Sequence, residues 1–200
     1  MTWCPDLRGA TAIGLDLTGI HLNGAMLSGA VFDGAQLREA SLQNAVCTDA
    51  SFKGADLQLA RMSGADFSRS DLTGATLTEA ELKGATMERA VFDDAQMTRA
   101  DLSELVLNRA SFKRAELFES NFAKSEASAC DFSSAGLAFS DMSMANLSYA
   151  NFRGADIEGV SFGHACLQGA IFTGALNMES ADFGASVGKP VGLIRRRSVG

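Results

Sequence analysis

The chain repeats a five-residue pattern from residue 5 to about residue 183 with almost no interruption. Of the 35 positions from 5 to 175 whose numbers end in 0 or 5, 25 are Ala. Of the 34 positions from 7 to 172 that end in 2 or 7, 31 are Leu, Phe, Met or Ile. A period of five fits neither an α-helix nor a flat strand. The chain is therefore predicted to turn once in every repeat, so that the same two columns always face inward.

Glycine and the spacing of Phe and Leu predict how these turns close. Of the 34 positions from 9 to 174 that end in 4 or 9, 14 are Gly, and Gly readily adopts the positive φ that the third residue of a type II turn needs. Four repeats would close a square coil, and stacked coils would pair like parallel strands about 4.8 Å apart. When the inward positions are read at 20-residue intervals, one column is almost all Phe and the next is mostly Leu. The Phe column is Phe32, Phe52, Leu72, Phe92, Phe112, Phe132, Phe152 and Phe172. The Leu column is Leu17, Leu37, Leu57, Leu77, Met97, Leu117, Leu137 and Ile157.

The segment ADLQLARMSGADFSRSDLTGATLTEAELKGA, residues 55 to 85, resembles the A(D/N)Lxx pattern of the pentapeptide-repeat proteins. The resemblance implies an all-β fold, a right-handed quadrilateral parallel β-helix. We expect a lead-in at 1–4, the repeat domain at 5–183 and a flexible basic tail at 184–200. Near residues 175–178 the repeat frame slips by one position. Trp3 and Pro5 are expected to cover the N-terminal end.

The resemblance implies functions as well as a fold. The best understood members resemble DNA in shape and charge and bind DNA gyrase or topoisomerase IV, whereas others are effectors or accessory parts of bacterial secretion systems. The gyrase-binding members usually carry a C-terminal helix that forms a dimer and a loop that interrupts the repeats. Neither feature is visible in this sequence. The favoured prediction is a non-enzymatic protein-binding scaffold, with a DNA-mimicking modulator of a type II topoisomerase as the alternative and a secretion accessory or effector as the next. The sequence also leaves open whether the chain forms a homodimer.

Charge and composition narrow the class of partner. The net charge is -7 and the isoelectric point is about 4.8, which argues against direct nucleic-acid binding because that depends on basic surface. The sequence has no apolar run long enough to span a membrane and no recognisable signal peptide. A cytoplasmic protein is predicted, with non-classical secretion left open.

Catalysis and cofactors have little support in the sequence. His21 and His164 are the two His residues, and both fall at outward positions about seven coils apart, too far for a catalytic set that needs hydrogen-bond contact. Cys47 and Cys130 fall at inward positions and Cys166 at an outward one. The cysteines show no metal-ligand spacing. We therefore predict no enzyme activity, no metal and no cofactor.

One side of the predicted coil is acidic. Its eight acidic residues outnumber Arg38 and Arg99, which gives 8 − 2, a charge of −6, while each other side comes to about −1. Such a face would attract a basic partner, or would only keep rods soluble and apart. The candidate acidic face consists of Asp16, Glu39, Asp56, Glu79, Glu116, Glu119, Asp156 and Glu158.

Large apolar residues fall at outward positions late in the repeats. Exposed apolar clusters often mark contact sites, although scattered surface hydrophobics are also common. The candidate interaction patch consists of Phe118, Phe139, Met144 and Tyr149. The first two are expected on adjacent coils of the acidic side, and the other two at the next two corners. A further outward row consists of Arg69, Arg89 and Arg109, which nearby acids such as Asp66 and Glu88 would balance unless the row binds an anionic group.

Overall fold

The computed structural model describes residues 5–193. Parallel backbone bridges join residues 20 positions apart, from Asp6 with Met26 to Ile171 with Val191. Each strand is a single bridged residue that recurs every five residues, and the one helix in the described part is the 3-10 helix Met178–Ser180. The chain is therefore a stack of square coils, each built from four repeats.

Most repeats make the same hydrogen bonds. The amide of Leu27 donates to the carbonyl of Val46 in the next coil at 2.7 Å, and the amide of Met26 donates to Pro5 in the preceding coil at 2.9 Å. The amide of Ala30 donates to Leu27 at 2.9 Å and closes the turn. All 34 corner residues from 9 to 174, those whose numbers end in 4 or 9, have positive φ. The predicted turn conformation is therefore confirmed, and it extends to the corners that lack Gly.

The coil has four sides, which we name by the residues of one coil. Side A is 31–34, side B is 36–39, side C is 41–44 and side D is 46–49, each with its equivalents at 20-residue intervals. The predicted Phe column lies on side A and is buried, with consecutive rings stacked at centroid distances of 4.8–5.2 Å. The buried part of the Leu column, from Leu37 to Ile157, lies on side B. The inward register predicted from the sequence is thus confirmed.

Sides A and C face each other across the interior, and Phe residues on side C meet the side A column edge to face. Phe122 contacts Phe112 at 5.7 Å and 85°, and Phe132 at 5.5 Å and 86°. Phe162 makes the same kind of contact with Phe152 and Phe172. These edge-to-face contacts bind opposite walls of the rod, because perpendicular rings attract each other beyond their apolar burial.

The predicted frame slip is present in the last coil. Asp156 still bridges Leu176 at a spacing of 20, but Ser161 bridges Asp182 at a spacing of 21. The 3-10 helix Met178–Ser180 holds the extra residue, and the spacing returns to 20 at Val191. The ladder therefore continues past residue 183, where the repeat domain was predicted to end. Residues 1–4, with Trp3, and residues 194–200 lie outside the described residues, and the predicted domain boundaries stay a prediction.

Candidate functional site

The structure places the candidate acidic residues together on side B. Four lie in the column of bridged residues, and the other four lie at or next to the corner; the two groups are Asp16, Asp56, Glu116 and Asp156, and Glu39, Glu79, Glu119 and Glu158. Arg38 lies 3.9 Å from Asp56, and the Nε of Arg99 lies 2.6 Å from Glu119. Both cations of side B are thus held by carboxylates of the same side.

The bridging aspartates are anchored to the backbone of their own turn. Asp16 accepts the amide of Thr18, and Asp56 accepts the amide of Gln58, each at 3.1 Å. Hydrogen bonds from the Thr18 side chain and amide hold the pKa of Asp16 below its usual value. Asp156 accepts the amide of Glu158 at 3.1 Å. These aspartates stabilise the turn as well as adding charge, whereas the corner glutamates project into solvent.

The candidate apolar residues divide into one ring pair and two separate corners. Phe118 and Phe139 lie on adjacent coils of side B, 40% and 52% exposed, with ring centroids 5.8 Å apart and planes at 76°. Met144 is 58% exposed and Tyr149 is 65% exposed, but they occupy the next two corners of the same coil, on sides C and D. The four residues therefore form a band around the rod, of which Phe118 and Phe139 are the part that shares a side.

Glycine in the next coil makes room for two of these rings. A Cβ added to Gly159 would lie 2.7 Å from Cδ1 of Phe139, and one added to Gly169 would lie 2.7 Å from Cδ1 of Tyr149. Each ring therefore lies along the rod, over the glycine corner of the following coil. Sequence reasoning missed this pairing, although the 20-residue spacing between each aromatic residue and its glycine could have revealed it.

The row of arginines on side D is balanced in part by local acids. Arg69 makes two hydrogen bonds to the carboxylate of Asp49, both at 2.8 Å, and Arg89 lies 3.8 Å from Glu88. The direct partner of Arg69 is thus Asp49 of the preceding coil rather than the expected Asp66. Ion pairs across successive corners recur elsewhere, as between Arg114 and Asp94 at 2.6 Å.

The residue types that could catalyse a reaction lie far apart in the structure. His21 and His164 are separated by about seven coils, roughly 34 Å at about 4.8 Å per coil. Cys47 and Cys130 are buried as predicted, and burial raises the pKa of Cys47 and raises that of Cys130 to about 12. Cys166 is half-buried. Within residues 5–193 there is no group of three or more His, Cys, Asp or Glu that could hold a metal ion. In the same range, no helix is long and apolar enough to cross a membrane.

Together these features define a class of protein: a four-sided β-helical rod with a largely apolar interior, in which the residues that vary lie at three outward positions of each repeat. Eight copies of the Pentapeptide repeats family model match the chain, over residues 6–44, 30–69, 70–109, 95–133 and 135–174. The protein belongs to the pentapeptide-repeat family, and its fold is the right-handed quadrilateral β-helix predicted from the sequence.

Solved structures support the same fold. HetL, a pentapeptide repeat protein involved in heterocyst differentiation regulation in the cyanobacterium Nostoc sp. strain PCC 7120, is 22% identical with a TM-score of 0.57, over 94% of this chain and 86% of HetL. QnrB1, a plasmid-mediated fluoroquinolone resistance protein, is 18% identical with a TM-score of 0.62, over 82% of this chain and 81% of that one. No curated protein matches the sequence significantly. At these identities the likeness shows the fold.

Proposed function

We propose that the protein is a non-enzymatic binding rod whose side B contacts another protein. The observation that carries this proposal is the exposed ring pair of Phe118 and Phe139, which lies on the most acidic side of the rod. Covering apolar rings that are exposed to water lowers the free energy of the complex, and exposed apolar clusters often mark contact sites. The surrounding carboxylates favour partners of opposite charge.

The rod holds these side chains at fixed spacing. The backbone ladder joins every coil to the next. The inward side chains at positions ending in 2 or 7 are buried from Leu22 to Phe172, including the stacked Phe column. Side chains on one side therefore repeat at about 4.8 Å along the axis. A preorganised surface of this kind loses little conformational entropy on binding, which suits a scaffold.

Affinity purification from the native cell tests the proposal. The wild-type protein should recover a partner that the double variant Phe118→Thr/Phe139→Asn recovers poorly. Asn is chosen at position 139 because it tolerates the left-handed backbone that Phe139 adopts, with φ 60°. The matched control is Tyr149→Asn, another corner ring that also covers a glycine, and it should keep the partner. Equal recovery by the wild type and the double variant would contradict binding through side B. Analytical ultracentrifugation of the same proteins tests whether the partner is a second copy.

Modulation of a type II topoisomerase is the second candidate, and the charge of −6 on side B favours it. A rod with carboxylates at regular axial intervals presents a DNA-like charge to a DNA-binding enzyme. Charge reversal at Glu79, Glu116 and Glu119 should abolish inhibition of gyrase supercoiling and leave the fold intact, because all three are outward. A wild-type protein without effect on gyrase at tens of micromolar, equivalent to about −6 to −7 kcal/mol of binding, would exclude this function.

Residence in the cytoplasm and a role in a secretion machine remain predictions.

A further inference from the structure

In the middle of side B, the outward residues 136 and 138 carry smaller side chains than the equivalent residues of the coils before and after them. We call residues 136–138 the low row. Glu116, Gly136 and Asp156 follow one another in the bridged column, so Gly136 lies between two acidic side chains. Ala138 occupies the next outward position of the same row, between Phe118 and Glu158 of the neighbouring coils. Because Gly136 has no side chain and Ala138 has one methyl group, the surface drops there. The taller rows on either side are about 10 Å apart at about 4.8 Å per coil.

Aromatic rings and uncompensated carboxylates border this low row. Phe118 and Phe139 stand nearly perpendicular at its edge and leave about half of their surface exposed. The carboxylates of Glu116, Asp156 and Glu158 form no ion pair within residues 5–193, whereas Glu119 is held by Arg99. Side B has no Lys or Arg in the rows 116–119, 136–139 and 156–159.

We propose that this surface, the aromatic–acidic notch, binds an arginine side chain of a basic segment in a partner protein. The notch is defined by Glu116, Phe118, Gly136, Ala138, Phe139, Asp156 and Glu158. The proposal rests on the proposed binding function and names the chemistry of its partner.

Arginine fits the notch better than lysine for geometric reasons. A guanidinium group stacks on an aromatic face within about 6 Å of the ring centroid and donates two parallel hydrogen bonds to a carboxylate. An ammonium group is a compact point charge that does neither as well. The notch offers both partners side by side, the rings of Phe118 and Phe139 and the carboxylates of Glu116 and Glu158. Nucleic acid and acidic peptides would be repelled by the same carboxylates.

Fluorescence anisotropy with labelled peptides tests the notch directly. The probes are a fluorescein-labelled Gly-flanked tetra-arginine peptide and matched tetralysine and tetraglutamate peptides. We expect the wild-type protein to bind the arginine peptide at least fivefold more tightly than the lysine peptide and not to bind the glutamate peptide. Phe118→Thr/Phe139→Asn should weaken arginine-peptide binding at least fivefold, and Tyr149→Asn should leave it unchanged.

A second variant fills the notch without removing a ring. Gly136 lacks positive φ, and a Cβ there would lie 4.0 Å from the carbonyl oxygen of Ala115, so a side chain fits. Gln is the natural residue of the same column at positions 36 and 96, so Gly136→Gln should fold normally, as circular dichroism would show. It should weaken arginine-peptide binding at least fivefold.

The outcomes separate this inference from the proposed function. Arginine and lysine peptides that bind equally, or a Gly136→Gln protein that binds as the wild type does, would overturn the notch and leave only diffuse attraction to an acidic rod. If the native partner is still lost in Phe118→Thr/Phe139→Asn, the binding function stands without the arginine site. If the partner is recovered equally by every variant, the proposed function of side B fails as well.

Discussion

Replacement of Phe112 by Ala probes the inward register more sharply than any other single change. The side chain is fully buried in the Phe column of side A. It stacks on Phe92 at 5.0 Å and on Phe132 at 5.2 Å, each with planes 7° from parallel, and it meets Phe122 edge to face at 5.7 Å. Truncation therefore removes three ring contacts at once.

The expected loss of unfolding free energy is about 4–5 kcal/mol. Burial of a Phe side chain contributes about 1.5–3 kcal/mol, and each aromatic pair adds about 0.5–1.5 kcal/mol. Phe-to-Ala changes in protein cores cost about 3–5 kcal/mol, depending on how far the surroundings collapse into the cavity. Here the hydrogen-bonded coils above and below hold the walls apart, so little collapse is expected and the cost falls at the upper end.

Urea denaturation followed by circular dichroism measures this loss. Phe118→Ala is the matched control: Phe118 is 40% exposed and has one ring neighbour, so it should cost about 1 kcal/mol or less. Because a solenoid can unfold in segments, hydrogen exchange of amides near Phe112 should report the same loss locally. A loss below about 1 kcal/mol for Phe112→Ala would show that the ring does not occupy the assigned core position.

Three further outcomes follow from the structure. Ala129→Gly should raise the unfolding free energy by about 0.5–1 kcal/mol in the same denaturation assay, because Ala129 has φ 56°, a conformation that Gly adopts without steric cost. The hydrogen bonds from Arg114 hold the pKa of Asp94 below its usual value. This pair therefore stabilises the fold at pH values above the unfolded pKa of about 3.9, and the stabilisation is lost as the pH falls through the lower pKa of the folded state. Arg114→Gln should raise the pKa of Asp94 toward about 3.9 in an NMR titration. An unchanged pKa would contradict the ion pair. Thiol labelling mapped by mass spectrometry should modify Cys166 in the native protein and Cys130 only after unfolding, since Cys130 is buried and its pKa is raised to about 12.

The repeat pattern predicts the core because each inward position faces the same environment in every coil. Phe112 and Leu117 could be assigned inward from their numbers alone, since only one register buries both columns. The spacing also identified the frame slip, which the 3-10 helix Met178–Ser180 accommodates. The sequence did not predict the contacts of Phe122 across the rod, because those depend on which opposite wall lies within reach.

The candidate site was predicted less completely, since outward positions obey no repeat. The numbering placed Phe118 and Phe139 on adjacent coils of one side and Met144 and Tyr149 at the next two corners, and the structure has the same arrangement. The low row at Gly136 was not predicted, because the absence of a side chain is informative only beside its neighbours. Surface chemistry in this fold depends on which residues stack at a spacing of 20, rather than on any local motif.

Backbone strain at the corners points to where side chains matter. The first six corners, from residue 9 to residue 34, are all Gly, whereas no corner from Arg89 to Tyr149 is Gly, and all of them keep positive φ. A left-handed conformation costs an L-residue roughly 1–2 kcal/mol, so a stretch of non-Gly corners is a standing loss of stability. The first part of this stretch offsets the cost with ion pairs between coils, such as Arg114 with Asp94 at 2.6 Å. Phe139 and Tyr149 form no such pair, and their rings are more than half exposed. The neighbouring coils hold this strain in the folded chain. At Phe139, which lies on side B, we expect a partner that covers the ring to add the favourable contact that no ion pair supplies there.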